Sequence, residues 1–157
     1  MNSNEQIIEE FYAAFANGNP ETMASCYHQD IEFEDPAFGK LNEKDVSDMW
    51  HMLLERAKGN LDIAFSDIKA NATIGSAKWI ATYNFTKTNR KVVNVIYAKF
   101  EFKDGLIIKH TDNFDFWNWS KQALGNTGLF LGWSTFLRKK VQQQAITSLR
   151  KYQSQKV

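Results

Sequence analysis

The stretch IEFEDPAFG, Ile31 to Gly39, decides how this chain is read. Entered as a strand, it puts Ile31 and Phe33 on one face and Glu32 and Glu34 on the other, because side chains alternate along a strand. Asp35 then falls on the apolar face, where an ionised carboxylate costs free energy unless it is paired, hydrated or used. Two readings meet at this residue. An Asp before Pro starts a turn and accepts hydrogen bonds from the backbone that follows. A carboxylate in an apolar setting is also a means of moving a proton.

Working outward, Ile7, Ile8, Phe11 and Phe15 recur at helical spacing, and the turn formers Asn17, Gly18, Asn19 and Pro20 end that helix. The pattern predicts a short second helix from about Glu21 to His28. After the Ile31 strand come a loop holding Pro36 and Gly39 and a third helix from about Glu43 to Ala57. Val46, Met49, Trp50, Leu53 and Leu54 share one side of that helix, and Gly59 closes it. The remaining body alternates as strands: Leu61 to Phe65, Ala77 to Phe85, and Val92 to Phe102, which turns at Asp104-Gly105 into Leu106 to Phe116. Helices first and antiparallel strands after them describe an α+β fold, one curved antiparallel sheet wrapped by N-terminal helices. Such a sheet leaves a pocket between its concave face and the helices.

The last strand repeats the opening problem. In LIIKHTDNFDFW, alternation places Ile108, His110, Asp112, Phe114 and Phe116 on one face. Asp35, His110 and Asp112 are thus expected to look into one cavity as acid/base candidates, with Phe11, Phe33, Trp50, Trp79 and Phe114 as its apolar lining. Imidazole suits proton transfer near neutrality, with an ordinary pKa of ~6.5. His110 reads equally as a hydrogen-bonded core histidine, and Asp112 as its partner. One imidazole and two carboxylates on two strands lack a recognisable ligand spacing, so no metal is expected. No Gly-rich phosphate loop, nucleophile elbow or dinucleotide fingerprint occurs, so no cofactor is expected either.

The chain has 157 residues, the size of one domain, and 14% of them are aromatic, a share that suits a lined cavity. Cys26 is the only cysteine, so no internal disulfide forms. The first residues carry no basic end followed by an apolar core, and the expected location is cytoplasmic. No acidic residue follows Asp115, whereas Lys121, Arg138, Lys139, Lys140, Arg150, Lys151 and Lys156 are basic: an acidic body carries a basic tail. The acidic body argues against nucleic acid. In the tail, Ser134 is placed to cap a final helix with Leu137, Val141, Ala145, Leu149 and Tyr152 along one stripe. Residues 117–157 are therefore read as a helical extension packed on the domain formed by residues 1–116. The tail is expected to fold back over the cavity mouth or a dimer seam, with Phe130 and Trp133 burying apolar area. Its glutamine-rich polar face argues against a membrane-surface role.

The run YHQDIEFEDPAFG, following a helix that ends in an Asn-Gly turn, resembles the corresponding segment of ketosteroid isomerases. It is similar also to the wider nuclear transport factor 2-like, cystatin-like superfamily, including SnoaL-like polyketide cyclases, over residues from about 5 to 116. The resemblance implies a cone-shaped fold, a homodimer, and Asp35 as the general base that moves a proton next to a carbonyl. The isomerases' two oxyanion donors fall at Phe11 and Ala98, which cannot donate. His110 and Asp112 occupy the strand where SnoaL-like proteins often carry an acid/base Asp or His. The expected function is metal-free proton-transfer chemistry (isomerisation, dehydration or cyclisation) on an apolar carbonyl compound. The alternative is a non-catalytic carrier with the same pocket.

Overall fold

A computed structural model describes residues 1–156; Val157, the last residue of the predicted extension, lies outside them. The chain opens with α1, Ser3–Ala16, held by a reciprocal cap: Asn2 accepts from the Glu5 N–H, and Glu5 accepts from the Asn2 N–H. Asn19 caps α2, Pro20–Ser25, which starts on proline and is shorter than the predicted helix. Tyr27 and His28 go instead to β1, Tyr27–Asp35. The segment expected as a loop pairs with it as β2, Gly39–Asn42, Phe33 standing opposite Leu41. Helix α3, Lys44–Ala57, is followed by β3, Leu61–Ala70, β4, Ile74–Phe85, β5, Arg90–Lys103, and β6, Leu106–Asn113.

The six strands form one curved, unclosed sheet in the order β2-β1-β6-β5-β4-β3. Every pairing is antiparallel except one: β1 runs parallel to β6, with Phe33 opposite His110. Irregular register at Ser66–Lys69 and at Glu101–Phe102 bends the strands. The second irregularity also moves the alternation of β6, so that Ile107 rather than Ile108 is buried before His110 and Asp112 turn inward. Helix α1 packs across β3, its start pinned by Asn2 donating to the Ala70 carbonyl at 2.9 Å. One aromatic-rich core fills the space between helices and sheet.

The final strand is shorter than the predicted run to Phe116. The Asp115 carboxylate accepts from the Asn118 N–H at 3.0 Å and starts α4, Phe116–Leu124, so Phe116 is buried from a helix. Because β6 stops opposite Tyr97, α4 takes over the edge of β5: Gln122 accepts from the Val93 N–H at 2.7 Å and donates to the Val93 carbonyl at 3.1 Å.

Helix α5, Asn126–Leu131, precedes α6, Thr135–Gln155, which Ser134 caps. Helix α6 does fold back. Leu137, Leu149 and Tyr152 are buried on the body, Arg150 grips Asp45 through both guanidinium nitrogens at 2.8 and 2.9 Å, and Tyr152 donates to Glu55 at 2.8 Å. The loop before it departs from expectation. Phe130 and Trp133 are 67% and 72% exposed and do not cover the cavity mouth. The cause is the glycines: a Cβ at Gly128 would overlap the Ser120 main chain, and one at Gly132 would overlap the Ser120 hydroxyl. The glycine face docks on α4 and the large side chains are left pointing outward.

Candidate active site

A cavity of about 790 Å³ lies between α3, α6 and the inner face of the sheet, within the size range of small-molecule sites. Asp35, Trp50, Trp79, Asp112 and Phe114 line it as predicted. Leu137, Val141 and Ala145 of α6 close one side, so the tail forms part of the wall.

The three remaining predicted residues stand behind that wall. His110 is 0% exposed and does not reach the cavity. Phe11 and Phe33 jacket it edge-on, with ring centroids 5.5 and 5.1 Å from the imidazole, and neither lines the cavity. The reason is the strand register: Phe33 and His110 are paired neighbours on β1 and β6 and meet the helix layer together, where Trp50 comes between them and the open space.

Around His110 runs a directed chain of hydrogen bonds. Trp50 Nε1 donates to the Tyr27 hydroxyl at 2.9 Å, and that hydroxyl lies 2.8 Å from His110 Nδ1. His110 Nε2 lies 2.9 Å from Asp112 Oδ1, which also accepts from Trp79 Nε1 at 3.3 Å. The Asp112 carboxylate oxygen only accepts, so His110 Nε2 carries the proton that faces it, and in the neutral imidazole Nδ1 accepts from the Tyr27 hydroxyl. His110 therefore orients Asp112. Of the two Asp112 oxygens, Oδ1 is engaged twice, whereas Oδ2 has no hydrogen-bond partner among the described residues and is the one left for the cavity.

Asp35 sits both in the turn and on the cavity wall. Its Oδ1 accepts from the Ala37 and Phe38 N–H groups at 2.9 and 2.6 Å and so caps the β1–β2 turn. Its Oδ2 makes no hydrogen bond among the described residues. Burial pushes the Asp35 carboxyl up to about 7; the Phe38 N–H pulls against this, and the negative charge of Asp112 adds to it. A carboxyl that titrates near neutrality can take up and return a proton in one cycle.

Tyr83 and Asn94 also line this cavity from the inner face of the sheet, and alternation alone did not single them out. Tyr83 shares the inward face of β4 with Trp79 and Ala81. Its hydroxyl accepts from Trp119 Nε1 at 2.8 Å, which leaves its own proton uncommitted. Burial holds the Tyr83 phenol above its ordinary pKa, the Trp119 bond opposes this, and the Asp35 charge adds to it, so the group stays a donor. Asn94 is 6% exposed on the inner face of β5, and its amide has no partner among the described residues. Tyr83 pairs with Val92 and Ala81 with Asn94, so Tyr83 and Asn94 are diagonal neighbours on one face, within reach of a common atom. The signal available for Asn94 was a lone amide at an inward position of an apolar strand.

Ala98, where the isomerase donor falls, is paired directly with Asp112 across β5 and β6. Among the described residues, no group of three or more His, Cys, Asp or Glu side chains is arranged to hold a metal ion. Nor is any described helix long and apolar enough to cross a membrane.

No curated protein matches the sequence. Solved structures share its fold at low identity. An LEH-like epoxide hydrolase of M. tuberculosis is 20% identical, with a TM-score of 0.60 over 82% of this chain and 96% of that one. Bal32a, from a soil-derived mobile gene cassette, is 16% identical, with a TM-score of 0.67 over 76% and 95%. IdmH of Streptomyces antibioticus, proposed to be a polyketide cyclase, is 15% identical, with a TM-score of 0.64 over 77% and 98%. The family model of the SnoaL-like domain matches residues 8–110, about two thirds of the sequence. With its helices, its curved sheet and its cavity in that arrangement, the chain belongs to the SnoaL-like domain family.

Proposed function

We propose that the protein is an acid/base catalyst that transfers a proton within an apolar, carbonyl-bearing substrate. Asp35 acts as the base through Oδ2. Tyr83 and Asn94 hold the carbonyl oxygen and stabilise the negative charge that builds on it as the neighbouring C–H gives up its proton. Asp112, oriented by His110, stands beside Asp35 on the neighbouring strand as the second proton-transfer group. The proton taken up on Asp35 Oδ2 goes back to a second carbon in isomerisation, or passes to a departing or newly formed oxygen in dehydration or cyclisation, with the Asp112 carboxylate receiving and relaying it. The observation that carries this reading is the Asp35 carboxyl, raised to about 7 with one oxygen unspent, in a cavity that also holds the uncommitted donors of Tyr83 and Asn94. The polyketide-cyclase proposal for IdmH supports a ring-bearing carbonyl compound as the substrate class.

β-Tetralone, an apolar aromatic ketone with an acidic C–H beside its carbonyl, is a direct probe. Incubated with the protein in D2O, it should exchange that hydrogen for deuterium, read by proton NMR. Asp35→Asn should abolish the exchange while binding persists, and Tyr83→Phe should slow it by about 10² to 10³, the usual effect of losing one oxyanion donor. Exchange no faster with the wild type than with Asp35→Asn overturns the catalytic reading and leaves a carrier.

The assembly we propose is a homodimer. Val93, Val95 and Tyr97 are exposed on the outer face of β5, an apolar strip that a second copy would cover.

A further inference from the structure

Four cations ring the cavity mouth, and none has an acidic partner among the described residues: Arg56 and Lys58 at the C-terminal end of α3, Lys87 in the turn after β4, and Lys140 on α6. The pairing of Leu61 with Tyr83 brings the end of α3 to the end of β4. Lys87 Nζ donates to Gln144 Oε1 at 3.2 Å, one helical turn from Lys140, so the three elements share one rim. The carboxylates of α3 are spent along its seam with α6 or on α3 itself: Asp45 on Arg150, Glu55 on Lys156, Asp48 on Lys44. Among the described residues, the only acids lining the cavity are the reacting pair, Asp35 and Asp112. Like charges gathered at one low-dielectric mouth focus a positive field there, and a ligand of opposite charge relieves their repulsion. Below the rim, Leu53, Phe85, Phe114, Leu137 and Val141 offer apolar wall.

We infer that the substrate is an amphiphile: an apolar, ring-sized body fills the cavity, and an anionic group, a carboxylate, sulfonate or phosphate, is held at the mouth by Arg56, Lys58, Lys87 and Lys140. This rests on the cavity being the site proposed above and adds an orientation, because the charged end stays out and the carbonyl is carried inward to Tyr83 and Asn94.

Two fluorescent probes of nearly equal body separate the charge from the ring. Anilinonaphthalene sulfonate carries an anionic group and N-phenylnaphthylamine carries none. Replacing Arg56, Lys58, Lys87 and Lys140 together by Gln should weaken the sulfonate about tenfold, the effect of neutralising four exposed charges at once, and leave the neutral probe unchanged. Raising salt from about 0.1 M to about 1 M, which shortens the screening length from ~10 Å to ~3 Å, should weaken only the sulfonate. A control with Lys91, Lys99, Lys139 and Lys151 changed to Gln removes the same net charge away from the cavity and should have little effect. Val141→Trp, which fills the space below the rim, should displace both probes. The inference is overturned if both probes respond equally to the rim substitutions, if the control weakens the sulfonate as much, or if the sulfonate still binds behind Trp at position 141. None of these measurements reads turnover, so a failure of deuterium exchange in β-tetralone is distinguishable from a failure of charge recognition.

Discussion

Asp35→Asn should stabilise the protein at about pH 8 and leave its stability unchanged near pH 4. The Asp35 carboxyl is raised on folding from 3.8 to about 7, so between these values the folded chain holds a proton that the unfolded chain has released. Its favourable contribution is complete below the unfolded value and disappears as pH rises through the folded one. At about 1.4 kcal/mol per pH unit, the displacement amounts to about 4 kcal/mol. Asp35 as a whole residue is only half-buried, so solvent reduces this toward about 2 kcal/mol. Asparagine keeps an oxygen for the Ala37 and Phe38 N–H groups, so the turn survives and the comparison isolates the charge. For a chain of this size, 2 to 4 kcal/mol corresponds to a Tm higher by roughly 5 to 15 °C at the alkaline end. Thermal or urea melts of both proteins at the two pH values measure the difference directly. If the two proteins differ by the same amount at both, the carboxyl does not ionise in a desolvated site and the reasoning from burial to base strength fails.

Removing the imidazole while leaving its acid should be more harmful than removing both polar groups: His110→Phe should cost about 3 to 5 kcal/mol, and His110→Phe with Asp112→Leu distinctly less, as a urea-melt double-mutant cycle reads. Leu149→Ala, at a fully buried position of α6, should cost about 2 to 5 kcal/mol, whereas unchanged stability would make the tail an appendage. Tyr12 is fully buried and its hydroxyl has no partner among the described residues, so Tyr12→Phe should raise stability by about 1 kcal/mol in the same melts. Changing Val95 to Lys and Tyr97 to Glu should yield a monomer in sedimentation at concentrations where the wild type sediments as a dimer; a wild type that is itself monomeric at micromolar concentration sinks the assembly proposal.

Period-two alternation was enough to put Phe33, Asp35, His110 and Asp112 on the inner face of the sheet, because a buried apolar face leaves little freedom of register. What lies behind the cavity was not legible. That Tyr27, Trp50, His110 and Asp112 share one hydrogen-bond chain depends on the parallel pairing of β1 with β6, a contact between distant segments that no local pattern encodes. Strand β2 is short and carries Lys40 and Asn42, so it read as loop until β1 offered it an edge. Phe116 follows the strand's alternation perfectly, yet the Asp115 cap withdraws it from the sheet, a case of local side-chain chemistry overriding periodicity. Tyr83 stood in plain view among the alternating aromatics; its significance depends on Trp119 occupying one side of its hydroxyl, and Trp119 comes from a helix that begins only after the sheet is complete.

The parallel pairing of β1 with β6 has a consequence for the order of events in folding. A hairpin such as β5–β6 closes from neighbouring residues, but β1 must wait for a strand made near the end of the domain, and α6 must then cover the result. Contacts so distant in sequence are entropically costly to reach and form late. Asp35 belongs to the waiting strand and Asp112 to the arriving one. During synthesis the emerging chain therefore holds Asp35 and Asp112 apart until β6 has left the ribosome, and no fragment that ends before Asp112 carries both carboxyls.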